Sequence, residues 1–145
     1  MSRRLLLIVW IGFLVLTSFV SFHHEQWRDE ADSWLIARDQ SPITVLPIMP
    51  NAGHPVLHYL VQMPLAKFGL PYWTSKVLNL AWMAIAVLLL LQFSRIPQLL
   101  KILLCFGYLL SYEYAVIVRG YSLATALLFA LAAVDGNRWK RPVLY

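Results

Sequence analysis

LLKILLCFGYLLSYEYAVIVRGYSLATALLFALAAV, running from Leu99 to Val134, is almost unbroken apolar sequence, interrupted chiefly by Glu113 and by Arg119-Gly120. As helix at ~1.5 Å per residue it would extend ~54 Å, too long for one passage through a ~30 Å hydrocarbon core and just enough for two short ones. The turn is expected between about Tyr112 and Gly120, where the charges are. This stretch therefore predicts two antiparallel membrane helices, about 99–114 and 120–134, and with them an all-α integral membrane fold.

Two more runs precede it. One covers about Val77 to Phe93, with Tyr72 and Trp73 at one end, where aromatic residues favour the headgroup level, and Arg95 and Pro97 at the other. The other, Leu5 to Phe22, follows Ser2-Arg3-Arg4. A charged start and an apolar middle also describe a signal peptide. However, the run exceeds the ~7–15 residues of a signal core and no Ala-x-Ala closes it before His23, so the residues favour an uncleaved anchor. Four spans result: about 5–22, 77–93, 99–114 and 120–134.

The composition agrees with lipid as solvent. Hydrophobic residues make up 60% of the chain, against roughly half in soluble domains, and the mean hydropathy is +0.65. A formal charge of +5 raises the question of nucleic acid, but the basic residues lie beside apolar runs and form no basic motif, so no nucleic-acid partner is expected. The lone Cys105 excludes a disulfide framework and a thiolate metal cluster.

Lys and Arg gather in short cytoplasmic segments of membrane proteins. With four spans, Arg3, Arg4, Arg95, Lys101, Arg138, Lys140 and Arg141 share one side. Arg28, Arg38, Lys67, Lys76 and Arg119 fall on the other with Glu25, Asp29, Glu30, Asp32, Asp39 and Glu113. Both termini are then cytoplasmic, and residues 23–76 form a long outer loop of a length that usually carries function or structure of its own. Within it, Asp29 is expected to cap a helix running through Gln40. Ser41-Pro42 is expected to start a second helix kept short by Pro47 and Pro50, and Pro55 to Phe68 a third, amphipathic one. Val143-Leu144-Tyr145 reads as the beginning of another apolar segment, so a longer chain is expected.

Asp29-Glu30, with Asp32 a turn on, is the acidic cluster of this loop. Paired acids there suit a general base or an oxygen-ligated hard cation, while capping and solvation of an acidic first turn account for the same residues. His54 and His58 are four apart and would share a helix face, although no third metal ligand is evident. Arg119 lies close to the membrane, where a charge is costly without a partner. It suits bidentate phosphate binding, or else an interfacial anchor or a salt bridge to Glu113. Lys76 suits a lipid phosphate or simple snorkelling.

Taken in order, these segments resemble the amino-terminal part of GT-C type membrane glycosyltransferases, the group of protein O-mannosyltransferases and aminoarabinose transferases. Arg28-Asp29-Glu30-Ala31-Asp32-Ser33-Trp34 is similar to that family's acidic first-loop motif. Gly53-His54-Pro55-Val56-Leu57-His58-Tyr59 is similar to its interfacial helix, and Tyr112-Glu113-Tyr114 with Arg119-Gly120-Tyr121 to its loop between the third and fourth spans. The resemblance implies that residues 1–145 are the amino-terminal part of a multi-pass domain in the bacterial inner (plasma) membrane. It implies transfer of a sugar from a polyprenyl-phosphate carrier to an acceptor at the outer face, with Asp29 and Glu30 as catalytic acids. Arg119, Tyr121, Lys76 and His54 would bind substrate, and a divalent metal ion is compatible with the acids. Lys76 stands where many relatives have arginine, and His54-Pro55-Val56 replaces the usual double proline. A chain of this length would be inactive alone and would need the missing carboxy-terminal half or a membrane partner. The competing readings are a noncatalytic polytopic protein that assembles with a larger membrane partner and, more weakly, a transporter subunit.

Overall fold

The computed structural model describes residues 2–52 and 55–138, and every regular element among them is helical. Helix α1 (Arg3–His23) starts where the Ser2 side chain accepts the Leu5 N–H at 3.3 Å. It buries Val9, Phe13, Thr17 and Ser21, residues four apart that form one narrow stripe. Leu7, Ile8, Ile11, Val15, Leu16, Phe19 and Phe22 are left exposed.

Helix α5 (Trp73–Phe93) is central. Its buried positions recur every three or four residues from Lys76 to Leu91, and α1, α4 (Val56–Lys67), α6 (Gln98–Phe106) and α7 (Tyr121–Arg138) all pack on it. The main core lies here, around Phe13, Met83, Val87, Leu91, Cys105 and Leu110. Trp10 pins α1 to α5 through an indole N–H donated to the Ala84 carbonyl at 2.8 Å. Among the described residues, α1 and α5 are the helices long and apolar enough to cross a membrane, and Tyr121–Asp135 is a shorter apolar helix.

The expected third span is not one continuous helix. Pro97 precedes α6, which stops at Gly107, and a π-helical turn, Leu109–Glu113, follows. Residues 114–120 are irregular, yet Ala115, Val116, Ile117 and Val118 are buried. Irregular backbone inside a protein must find its hydrogen bonds somewhere. Here Asn79 supplies part of them, its Nδ2 donating to the carbonyls of Tyr114 at 3.1 Å and Ala115 at 2.9 Å while its Oδ1 accepts the Ser122 hydroxyl.

A second, smaller core caps the end where α1 finishes and α5 begins, here termed the loop end. Trp34 and Ala37 of α2 (Arg28–Asp39), Val45 of α3 (Pro42–Ala52) and Tyr59, Met63 and Ala66 of α4 build it. The Ser41 and Thr44 side chains each take the other's backbone N–H, at 3.1 and 2.8 Å, a reciprocal cap that fits the expected start of α3. The helix then continues past Pro47 and Pro50 to Ala52 rather than stopping at them. Helix α4 closes with Gly69 at φ 73°, the Leu70 N–H reaching the Leu65 carbonyl at 3.2 Å and the Gly69 N–H the Ala66 carbonyl at 3.1 Å. That pairing is a Schellman motif, in which a residue without Cβ takes the left-handed conformation.

Candidate functional site

The beginning of α2 differs by two residues from the sequence reading, and the difference reassigns its acids. Trp27, not Asp29, is the residue flanking the helix, so Glu30 becomes the third helical position and folds back to accept the Trp27 N–H at 2.7 Å. Burial of the apolar side of α2 against α4 turns Glu30 inward, and it is fully buried. An isolated buried carboxylate is prohibitively costly, so it must be surrounded by donors. Glu30 is: beyond Trp27, Oε2 meets His24 Nε2 at 3.1 Å, while Oε1 accepts the Tyr72 hydroxyl at 3.3 Å and the Val118 N–H at 2.6 Å. One carboxylate thus joins the end of α1, the start of α2, the start of α5 and the segment before α7.

Asp29 takes the opposite setting. Its side chain is half-exposed and pairs with the Arg119 guanidinium, itself mostly buried. The alternative salt bridge from Arg119 to Glu113 is not made, since Glu113 accepts the Tyr108 hydroxyl at 3.1 Å. The Arg119 Nε is buried with no hydrogen-bond partner. Two adjacent residues, Asp29 and Glu30, are therefore bound to two adjacent residues, Arg119 and Val118. Beside this double contact Tyr121, partly exposed, lies against Tyr114 with ring centroids 5.3 Å apart. The His24 ring meets those of Trp27 at 5.5 Å and Tyr112 at 6.2 Å.

Lys76 is buried, and its ammonium donates to the Ser21 and His24 carbonyls, both at 2.8 Å, the last carbonyls of α1. A cation suits the negative end of a helix, and Lys76 also lies 6.0 Å from the centre of the Tyr72 ring. These two carbonyls are its hydrogen-bond partners within the protein. His54 lies outside the described residues. His58 is buried and meets the Gln62 amide, whose oxygen accepts the Ser75 hydroxyl at 2.8 Å. With Asn79, Trp82 and Ser122 these side chains line a cavity of about 10 Å³, room for about one water and not for a substrate.

Burial and the neighbouring Glu30 charge push the Tyr72 phenol well above its ordinary range. At the far end of α2, the Asp39 carboxyl is held low by its hydrogen bonds to Arg38, at 2.7 and 3.1 Å.

A divalent cation would need carboxylate lone pairs. Those of Glu30 are already directed at four donors and Asp29 is engaged by Arg119, so the residues present do not fit a cation held between the two acids. Among the described residues, no three of His, Cys, Asp and Glu come together. His24, Tyr72 and Asn79 are the contributors that the sequence reading missed. Asn79 carried a signal, as an amide inside an otherwise apolar run. His24 carried none beyond its place at the end of α1.

No family model, curated protein or solved structure matches the chain.

Proposed function

We propose that the chain is a four-span protein of the bacterial inner membrane, with both termini cytoplasmic, and that its loop end is the donor side of a GT-C type glycosyltransferase site. The spans would be α1, α5, α6 with its π-helical turn, and α7. The leucine- and phenylalanine-rich exposed faces of α1, α6 and α7 support a lipid surround, since soluble monomers seldom expose apolar patches beyond a few hundred Å².

The observation that carries the functional reading is the Asp29–Arg119 pair, formed by residues ninety apart in sequence at a partly open position. Its chemistry is that of an exchangeable ion pair. The phosphate of a polyprenyl-phosphate sugar would take the guanidinium, which suits two phosphate oxygens, and so release the Asp29 carboxylate. Asp29 then accepts the proton of an acceptor hydroxyl as that oxygen bonds to the anomeric carbon. The bond from that carbon to phosphate breaks with inversion, and Arg119 stabilises the charge left on the carrier. Glu30 holds this geometry from behind without touching substrate.

A photoreactive polyprenyl phosphate added to membranes containing the protein tests the reading. Wild type is expected to be labelled, and Arg119→Gln to be labelled about tenfold less, the loss of one charge-assisted contact. Asp29→Asn should keep the label and lose transfer of a radiolabelled sugar in any assembly competent for it. An unlabelled wild type, or equal labelling of Arg119→Gln, removes the proposal. A second reading, a noncatalytic protein assembling with a membrane partner, is favoured by the pair being already mutually neutralised. It expects the two substitutions to weaken co-purification of that partner and predicts no labelling at all.

A further inference from the structure

The opposite end of the bundle holds an open cleft of about 670 Å³ between the start of α1, the end of α5 and α6, within the ~300–1,000 Å³ typical of ligand sites. Arg3, Gln92, Ser94 and Lys101 form its polar side, leucines of α1 and α5 form the other, and among the described residues no carboxylate lines it. Lys101 is buried and donates to the Leu91 carbonyl at 3.0 Å, which offsets the negative end of α5 and leaves the local field positive. Arg3 is exposed. The Ser94 hydroxyl oxygen is buried with no hydrogen-bond partner.

We infer that this cleft binds the phosphate headgroup of an anionic phospholipid, with an acyl chain lying along the leucines. The inference rests on the membrane reading above and not on the glycosyltransferase one. Arg3 supplies the exposed guanidinium, Ser94 and Gln92 supply neutral hydrogen-bonding groups, and Lys101 supplies a fixed charge behind them. The combination of one-signed charge with an adjoining apolar wall selects a lipid over a soluble phosphate. Basic pockets between membrane helices on the cytoplasmic side take acidic headgroups in this way.

Purified protein in detergent, mixed with phosphatidylglycerol or phosphatidylcholine of the same acyl chains and weighed by native mass spectrometry, provides the test. Wild type should retain the anionic lipid in preference by about tenfold, Arg3→Gln should bring the ratio near unity, and Arg4→Gln, which does not line the cleft, should leave it unchanged. Gln92→Glu, an exposed position that places a carboxylate in the cleft, should also abolish the preference. Circular dichroism confirms that each variant is folded. Equal retention of the two lipids by wild type, or a preference that survives both cleft substitutions, overturns the inference. Retention of glycerol phosphate as strong as that of the lipid overturns it in favour of a soluble ligand. If instead the membrane reading is at fault, the protein leaves the membrane in an alkaline carbonate wash, a result independent of headgroup.

Discussion

Replacing Glu30 by glutamine tests a different property from replacing Asp29 by asparagine, although the residues are neighbours. Glu30→Gln keeps the shape but places an amide N–H₂ against groups that are themselves donors, among them the N–H groups of Trp27 and Val118. A buried donor without a partner costs about 1–3 kcal/mol, so thermal unfolding in detergent should show a loss of that size. Asp29→Asn, at a half-exposed position, keeps an oxygen that can accept from Arg119 and loses the charge of a partly solvated pair, so it should cost no more than about 1 kcal/mol and reveal itself in the transfer assay instead. Tyr72 gives the same knot a pH signature. Its phenol is held above the unfolded value, by burial first and by the Glu30 charge second. Its contribution to stability is therefore complete below about pH 10 and lost as pH rises through the folded value. In an alkaline titration followed by tyrosinate absorbance, Tyr72 should ionise after the exposed tyrosines, and the difference between wild type and Tyr72→Phe should be confined to that late phase. None of this was legible from Glu30 itself. An acid in the first turn of a helix reads the same whether it faces water or the Val118 N–H.

Among the elements, the helix ends carry more of the specification than the helix middles. Gly69 has open space around the position of a Cβ, so Gly69→Ala adds only the left-handed backbone penalty. It should destabilise the α2–α3–α4 cap by about 1 kcal/mol, measurable as faster hydrogen exchange at the end of α4. The ends of α1 and α5 followed closely from the runs of apolar residues, because length and hydropathy are local properties. The break between α6 and α7 was harder to read. Gly107 and the π-helical turn interrupt a stretch whose composition remains apolar throughout, and residues 114–120 are held by Asn79 from another helix. The first residue of α2 was misplaced for a related reason: Asp29 is a better cap by chemistry than Trp27, but the contacts of Glu30 with three other segments decide where the helix begins.

For the molecule as a whole, the four-span proposal makes opposite ends of the bundle face opposite sides of a bilayer. With Cys105 replaced by serine, a single cysteine at Glu25 should react with a membrane-impermeant thiol reagent applied from outside. One at Arg95 should react only after the membrane is opened, and the reverse pattern would invert the topology. The helical architecture was readable from Leu5, Val77 and Leu99 onward because the length and apolar composition of each run are local properties of the sequence. The meeting of Asp29 with Arg119 was not readable from spacing, since a contact across ninety residues depends on how α5 and α7 pack. The double contact of residues 29 and 30 with 119 and 118 also bears on how the protein is made. At ~5–20 residues per second, roughly 5–20 s separate synthesis of the two halves of that contact. During that interval Glu30 lacks the Val118 donor it will later have. The loop end can close only after Val118 and Arg119 have been made, so a chain halted before residue 118 keeps this corner open to a membrane protease and one extended beyond α7 does not.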